Sequence, residues 1–381
     1  MRLSLYVHIP FCTRKCRYCD FASLAGSSIP PEEYVAAMLR EMTLRRQSFP
    51  RQPETSTLYI GGGTPSLLAP HLIGSLIDAA AEHYALSATA EITLEANPGT
   101  VTLESLAGYR SAGVNRLSLG VQSLDDGLLE MLGRIHSAAE ARQAVAMARA
   151  AGFDNLGIDL IHSLPGQSLT AWEQTLAEAV ALGPEHISAY GLSIEEGTPF
   201  HAMMEQGELE LPDDEIAARM LETTMELLPA EGYAQYEISN FSRPGRRSRH
   251  NQVYWQRGNY LGFGAAAHSF LREPLFGRRW NNPTAPLDYL HVLDTGTLPD
   301  EQAMRLSRRD AMGEAVFLGL RLLEGIDPAA FAAEFGESLE TAYPGALKRH
   351  FTDGLLQEKG GRINLTKKGL LLANRVFASF V

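Results

Sequence analysis

The sequence has few cysteines, no long apolar run and no excess of positive charge. Its three cysteines all lie between Cys12 and Cys19 in a chain of 381 residues. No further cysteine is left to pair with them, which argues against a disulfide framework and favours a reducing compartment. The chain contains no run of about 18 apolar residues, so no membrane span is predicted. Pro10 comes too early for a signal peptide. We therefore expect a cytoplasmic protein without a transmembrane segment, which leaves peripheral membrane contact open.

The charge balance excludes another class of function. Acidic residues outnumber basic ones by 45 to 33, and the formal net charge is −12. A general nucleic-acid binder normally carries a basic balance or a large basic face, so we expect no nucleic-acid partner. The hydrophobic content of 45% is ordinary for a globular protein. The length fits two domains, one of them large.

The cysteines form a compact motif. Cys12, Cys16 and Cys19 are spaced C-x3-C-x2-C, with three cationic side chains between and beside them. Neighbouring cations lower thiol pKa values and favour thiolate. Iron–sulfur clusters are held by cysteine thiolates, usually four, so a cluster with only three leaves one iron open to another ligand. The motif therefore predicts a metal centre.

Two other interpretations of the cysteines stay open at this point. A structural zinc site needs four ligands, often from paired C-x2-C modules, and here His8 would have to be the fourth ligand. Alternatively the cysteines are unliganded core residues, since free cysteine is often buried as a small hydrophobe. Three of them among cations would be unusual for a core.

Apolar strands alternate with helices in the first half of the chain. Strands are predicted at 3–9, 57–60, 90–95, 114–119, 155–161 and 186–192, with helices between them. Strands this apolar predict a parallel sheet with right-handed crossovers. A polar motif follows almost every strand, as at the catalytic face of a TIM-like barrel. Periodicity alone does not distinguish a barrel from an open doubly wound sheet.

The second half of the chain has a different character. A helix is predicted at 213–228, and residues 233–282 read as irregular and rich in aromatics. Beyond residue 303 the pattern predicts helices at 307–323, 327–335 and 338–351, a hairpin at 354–365 and a last helix at 366–379. That order is similar to a winged-helix module. Few basic residues fall on its recognition helix, so a docking or structural role is favoured over DNA binding.

At the cysteine motif the chain resembles the radical S-adenosylmethionine (SAM) proteins. In that superfamily three cysteines hold a [4Fe–4S] cluster whose open iron binds SAM, and an electron donor reduces the cluster. The resemblance implies a partial (β/α)6 TIM-like barrel at 1–235, a connecting region at 236–300, and a C-terminal, mostly helical, winged-helix-like domain at 301–381. The protein would supply position and electrostatics, and the cofactor the radical chemistry.

Further motifs resemble one subgroup, the oxygen-independent coproporphyrinogen III oxidase-like family with its haem-chaperone relatives. They are Gly-Gly-Gly-Thr-Pro at 61–65, Glu-Ala-Asn-Pro at 95–98, Gly-Val-Gln-Ser at 120–123, and the segments around residues 134 and 159. The resemblance implies one or two bound SAM molecules. The implied contacts are Tyr6, Tyr18, Gly62, Gly63, Thr64, Glu95, Gln122, Arg134 and Asp159. Singly, each polar residue here could equally form an ordinary ion pair or helix cap.

A His-Asn-x-x-Tyr-Trp segment at 250–255 resembles the motif of the haem-chaperone branch. It implies that His250 ligates haem and that Tyr254 and Trp255 pack against the ring, because imidazole is a common axial ligand. Arginines at 243, 246, 247 and 249 form a basic island that could receive the haem propionates. A hydrogen-bonded core histidine and a solvated loop are the alternative interpretations.

The chain departs from the oxidases at two points. Their motif continues to a fourth cysteine, where this chain has Phe21, and they carry a longer segment before the cluster. Both departures favour a haem chaperone that delivers haem to respiratory haem proteins. Oxidative decarboxylation of coproporphyrinogen III and radical modification or ring opening of haem are the rival functions.

Overall fold

The computed structural model describes residues 1–381. Its strands are β1 (Arg2–Ile9), β2 (Phe11–Cys12), β3 (Leu24–Ala25), β4 (Glu54–Gly62), β5 (Leu86–Ala96), β6 (Arg116–Gln122), β7 (Leu156–His162), β8 (His186–Gly191), β9 (Ala234–Gln235), β10 (Asn240–Ser242), β11 (Tyr260–Phe263), β12 (His268–Leu271), β13 (Arg278–Asn281), β14 (Glu301–Arg305), β15 (Leu356–Lys359) and β16 (Arg362–Leu365).

The helices cover most of the remaining chain. They are α1 (Pro31–Arg46), α2 (Pro70–Tyr84), α3 (Leu103–Ser111), α4 (Asp126–Leu132), α5 (Ala138–Ala150), α6 (Leu169–Ala181), α7 (Pro199–Glu205), α8 (Asp214–Ala230), α9 (Arg249–Trp255), α10 (Pro286–Asp294), α11 (Arg308–Arg321), α12 (Pro328–Phe335), α13 (Leu339–Ala342), α14 (Pro344–Thr352), α15 (Lys367–Leu371) and α16 (Ala373–Phe377). None of them is both long enough and apolar enough to cross a membrane.

Six parallel strands form the centre of the molecule. Their order in the sheet, β1-β4-β5-β6-β7-β8, is their order along the chain, and helices connect each strand to the next. The apolar side chains of β1 are fully buried, as the crossover helices require. The sheet does not close on itself, because other strands flank β1 and β8. The predicted partial barrel of six βα units is therefore confirmed.

Short strands extend both edges of this sheet. Strand β11 lies parallel to β1, followed by β12, β13 and β14, while β10 pairs antiparallel with β8. The prediction that residues 233–282 are irregular is therefore wrong. The strands within 233–282, β9 to β13, have only two to four residues each, too few to show an alternating pattern. The boundaries proposed at residues 235 and 300 stay predictions, and the sheet runs across both.

The C-terminal part has its own hydrophobic core. Nineteen buried residues form it, separate from the larger core around the parallel strands. The predicted order of helices, hairpin and helix is confirmed, but two predicted helices are each divided. Tyr343 separates α13 from α14, because a residue that precedes a proline is disfavoured in the α-helical conformation. Leu372 separates α15 from α16, and the sequence contains no helix-breaking residue there.

Candidate functional site

A deep cleft of about 410 Å³ opens at the carboxyl ends of the parallel strands and reaches into the barrel. Side chains alternate between the two faces of a strand, so every second residue of β6, from Arg116 to Gln122, faces this space. All three cysteines line its mouth, together with Gly62, Gly63 and Thr64 from the end of β4. The cleft therefore combines the cysteine motif with the polar ends of the strands.

The cysteine loop is held in place from several sides. The Arg17 amide donates to the Leu132 carbonyl at 3.0 Å, and the Phe200 amide donates to the Arg17 carbonyl at 3.0 Å. His8 Nε2 lies 2.8 Å from the Ala22 carbonyl oxygen. The three thiols are unpaired and half-buried, and burial raises the pKa of the Cys19 thiol. The loop thus presents three sulfurs to the cleft without a disulfide.

The surroundings of the sulfurs fit an iron–sulfur cluster. Arg134 Nη1 donates to Cys16 Sγ at 3.3 Å, and Thr64 Oγ1 donates to Cys12 Sγ at 3.5 Å. Hydrogen bonds to sulfur are one of the means by which proteins tune such clusters. A Cβ atom at Gly63 would lie 3.0 Å from Cys12 Sγ and 2.7 Å from the Phe11 carbonyl oxygen, so only glycine leaves room beside this sulfur. Nowhere do three potential ligands gather closely enough for a single metal ion, whereas a four-iron cluster spreads its thiolates over separate corners.

Two half-buried carboxyl groups lie in the wall of the cleft. Glu95 accepts a hydrogen bond from the Tyr59 hydroxyl at 2.6 Å and from the Gly62 amide at 3.0 Å. Burial raises the pKa of Glu95 to about 7, although these hydrogen bonds oppose the shift. Asp159 accepts from Ser118 Oγ at 3.1 Å, and burial raises its pKa as well. Both groups can accept hydrogen bonds from an ammonium or a hydroxyl group of a ligand.

Gln122 marks the end of β6. Its φ of 66° lies in the left-handed region, and the register with β7 shifts between Gly120 and Gln122. Residues in that region cost energy and occur mainly where the surrounding structure requires them. Together with Arg134, whose Nη2 donates to the Gly120 carbonyl at 2.8 Å, Gln122 shapes one side of the cleft.

The structure brings most of the predicted SAM contacts together. Eight of the nine line the cleft: Tyr18, Gly62, Gly63, Thr64, Glu95, Gln122, Arg134 and Asp159. Tyr6 does not line the cleft. Its ring lies behind Tyr59, with centroids 6.2 Å apart, and its hydroxyl is 3.0 Å from His8 Nδ1.

The predicted haem residues lie on α9, away from the cysteines. His250 is buried, its Nδ1 is 2.8 Å from Thr57 Oγ1, and its Nε2 is 2.8 Å from the Tyr254 hydroxyl. Burial lowers the pKa of His250 to about 3, so the ring is neutral. Trp255 faces elsewhere and stacks under the Arg321 guanidinium at 4.3 Å. Both ring nitrogens of His250 are therefore engaged within the protein.

The arginines of the basic island also have protein partners. Arg243 donates to the Glu231 carbonyl and Arg249 to the Thr89 carbonyl, each at 2.8 Å. Arg246 pairs with Asp154 at 3.5 Å and Arg247 with Glu324 at 2.7 Å. The structure does not gather these four side chains around a common site.

Sequence reasoning missed several side chains deep in the cleft, among them Arg116, Ser118, Ser188, Tyr190 and Asn251. The sequence did contain a signal for Arg116 and Ser118. Alternate residues of a strand face the same side, and counting back from Gln122 in steps of two along β6 gives Gly120, Ser118 and Arg116. Asn251 belongs to the His-Asn-x-x-Tyr-Trp segment, but that motif did not indicate that its asparagine faces the cleft. It comes from α9, whose position under the barrel depends on the chain's tertiary course.

Comparison with known proteins identifies the family to which the chain belongs. The radical SAM superfamily model matches residues 6–179, and the model of the HemN C-terminal domain matches residues 306–372. The haem chaperone HemW of Bacillus subtilis is 38% identical over 99% of this chain and 99% of its own length. HemW of Escherichia coli is 37% identical over 100% of this chain and 98% of its own length.

A solved structure supports the same placement. Coproporphyrinogen III oxidase (HemN) from Escherichia coli, a radical SAM enzyme, superposes with a TM-score of 0.84 at 25% identity, covering 99% of this chain and 89% of that one. The similarity extends over both the barrel and the C-terminal domain. The chain therefore belongs to the HemW haem-chaperone family of the radical SAM superfamily.

Proposed function

We propose that this protein binds a [4Fe–4S] cluster, SAM and haem, and delivers the haem to respiratory haem proteins. The observation that carries the proposal is that one cleft contains all three cysteines and eight of the nine predicted SAM contacts. These residues come from separate strands and loops, and chance would not place them around one space. The identity of 37–38% to HemW proteins over almost the whole chain supports haem as the molecule that is bound and delivered.

Cys12, Cys16 and Cys19 would hold the cluster, which when bound supplies an electron for the cleavage of SAM. Arg134 and Thr64 donate hydrogen bonds to two of the sulfurs. Glu95 is placed to accept from the ammonium or ribose hydroxyls of SAM, and Asp159 and Gln122 line the same cleft. A low-potential electron donor is needed as a further partner. A cytoplasmic location and the absence of a nucleic-acid partner stay predictions.

Haem ligation by His250 also stays a prediction, and the structure adds a condition to it. Because both ring nitrogens already have partners, ligation requires His250 to release either Thr57 or Tyr254. Anaerobic absorbance spectra of haem with the wild type and with His250→Ala test this point. A displaced Soret band in the variant would support ligation, and identical spectra would contradict it.

The rival function is oxidative decarboxylation of coproporphyrinogen III. It is favoured by the close superposition on HemN, but Phe21 stands where the oxidase pattern has its fourth cysteine. Phe21 lies at the mouth of the cleft with 60% of its surface exposed.

One assay separates the two functions. Reconstituted, reduced protein is incubated with SAM and coproporphyrinogen III under anoxia, and parallel samples are loaded with haem and mixed with an apo-acceptor. The proposal predicts transfer of haem and no catalytic formation of protoporphyrinogen. Catalytic turnover of coproporphyrinogen III would contradict it, and loss of haem absorbance with consumption of SAM would indicate ring opening instead.

A further inference from the structure

An arginine at the base of the cleft lacks a partner. Arg116 begins β6 and is only 2% exposed. Its Nε atom has no hydrogen-bond partner, and the carboxyl groups of Glu91 and Asp159 act on its charge only through space. A buried guanidinium without a contacting anion is costly, so this position calls for an explanation.

The nearby acidic groups are engaged elsewhere. The two oxygens of Glu91 accept the backbone amides of Arg249 and His250 at 3.1 and 3.0 Å. Asp159 accepts from Ser118, and burial raises its pKa. Burial likewise raises the pKa of Glu95 to about 7. The positive charge of Arg116 is therefore not cancelled by an ion pair within the protein.

Arg116 lies at the opposite end of the cleft from the cysteines. It precedes Gln122, at the cleft's upper end, by six residues of an extended strand, which corresponds to roughly 20 Å. Asn251 lines the cleft too, and it belongs to the His-Asn-x-x-Tyr-Trp segment. The walls between the two ends include Tyr59, Tyr190 and Ile161. The space is thus long, partly apolar and closed by a cation.

We propose that Arg116 receives a propionate carboxylate of the tetrapyrrole, which enters the cleft edge-first. This inference rests on the proposed function and names how the cargo is recognised. Haem is a flat ring with two carboxylates on one edge, which matches a guanidinium at the base of a cleft whose otherwise largely polar walls include the rings of Tyr59 and Tyr190. The fork of an arginine binds a carboxylate through two parallel hydrogen bonds. In this arrangement the His-Asn-x-x-Tyr-Trp segment contributes Asn251 to the cleft, whereas His250 holds α9 against the barrel.

The first test changes the ligand and leaves the protein intact. Anaerobic absorbance titrations compare haem with haem dimethyl ester, whose propionates cannot form the charged pair. Wild-type protein is expected to bind the diester about 10- to 100-fold more weakly, the range for a hydrogen-bonded charged pair. Equal affinity for the two ligands would overturn the inference, whatever any variant does.

The second test changes the arginine. Arg116→Gln is expected to weaken haem binding by a similar factor and to make the protein insensitive to esterification, while Arg116→Lys retains part of both effects. Arg142→Gln is the matched control, since that arginine lies on the surface of α5 and pairs with Glu178, and it is expected to behave as wild type. An Arg116→Gln variant that still binds haem about tenfold more tightly than the diester would overturn the inference.

SAM also carries a carboxylate, and a third titration separates the two sources. Arg116→Gln is expected to bind SAM within about twofold of wild type, because most of the predicted SAM contacts lie near the cysteines, and of these contacts only Glu95 and Asp159 are close enough to feel the charge of Arg116. Loss of SAM binding with unchanged haem binding would assign Arg116 to SAM and refute the inference. If wild-type protein binds no haem at all, the proposed function fails and the inference with it. Equal binding of haem and diester refutes only the inference.

Discussion

Single side chains in the cleft tune charge around the sulfurs. Arg134 bridges the cysteine loop and β6, since one guanidinium nitrogen donates to Cys16 Sγ at 3.3 Å and the other to the Gly120 carbonyl at 2.8 Å. The residue was predicted as a SAM contact, and its bond to a sulfur was not. A positive donor at a cluster thiolate stabilises the more negative, reduced state.

Replacing Arg134 by Met is therefore expected to lower the midpoint potential of the cluster by tens of millivolts, because a charged donor to sulfur is lost. A redox titration followed by electron paramagnetic resonance (EPR) measures the potential. Arg14→Met serves as control, because Arg14 lies between Cys12 and Cys16 in the sequence but its side chain is exposed. An unchanged potential in Arg134→Met would show that the hydrogen bond does not form in the loaded protein.

Glu95 makes stability depend on pH. Its pKa is about 7 in the folded chain, above the value near 4.3 of an unfolded glutamate. Between these values the folded state binds more protons, so stability falls as pH rises from about 4.5 to about 7. Glu95→Gln is expected to lose less stability than wild type between pH 5 and pH 8, by roughly 1–3 kcal/mol. Urea denaturation at the two pH values measures this, and parallel losses in both proteins would refute the shifted pKa.

At the scale of elements, the ends of strands decide where the site lies. The turn after β4 presses against the cysteine loop, because the Gly63 amide donates to the Ile9 carbonyl at 2.7 Å. The helix α9 lies at the other end of the barrel. Its residue His250 contacts Thr57 in β4, and the His250 ring lies 5.0 Å from that of Tyr59. One element supports the cluster and the other closes the base of the cleft.

Gly63→Ala is expected to lose most of the bound iron, because the added methyl group would clash with Cys12 Sγ and with backbone oxygens 2.7 to 3.0 Å away. Iron and acid-labile sulfide per chain are measured after anaerobic reconstitution. Gly345→Ala provides the control, since a Cβ there meets nothing within 4 Å. Full iron content in Gly63→Ala would contradict the close packing of this turn on the cluster loop.

His250→Ala is expected to reduce the free energy of unfolding by about 1–3 kcal/mol, because buried hydroxyl groups of Thr57 and Tyr254 lose a partner. Denaturant titration measures the change, and the iron content should stay that of wild type. A variant that is fully stable but has lost its iron would mean that α9 acts on the cysteine end directly and does not simply close the base.

At the scale of the whole molecule, the two hydrophobic cores are joined by ion pairs of a buried arginine. Arg257 is 5% exposed and pairs with Glu334 at 3.0 Å and Glu314 at 3.4 Å. It also donates to the Phe276 carbonyl at 2.9 Å. Both glutamates belong to the C-terminal helices α11 and α12, so one side chain ties that part to the extended sheet.

Arg257→Met is expected to destabilise the protein by about 1–3 kcal/mol, because a buried charged donor to the Phe276 carbonyl and to Glu314 is lost, whereas Glu314 keeps Arg279 and Glu334 keeps Arg272 as partners. It should also separate the unfolding of the C-terminal part from that of the barrel, which calorimetry would reveal as two transitions. The exposed pair of Arg40 with Asp294 offers the control, and Arg40→Met should cost less than about 1 kcal/mol. A single unchanged transition in Arg257→Met would refute the coupling.

The sequence predicted the barrel well because its strands are long and apolar and each is followed by a helix. It also predicted the cleft around Cys12 and Glu95, since motifs at strand ends meet at one face of a parallel sheet. The edge strands β9 to β13 were missed because two to four residues show no periodicity. The engaged nitrogens of His250 and the unpaired Arg116 depend on partners distant in the chain, which local patterns do not contain.

The proposed function requires that one cleft holds the cluster and SAM together. This is tested by the EPR spectrum of anaerobically reconstituted, dithionite-reduced protein, recorded without and with SAM. We expect the signal of a reduced [4Fe–4S] cluster that changes shape when SAM is added, and no such signal when Cys12, Cys16 and Cys19 are replaced by Ala. A wild-type protein without the signal, or with a signal that SAM leaves unaltered, would contradict it.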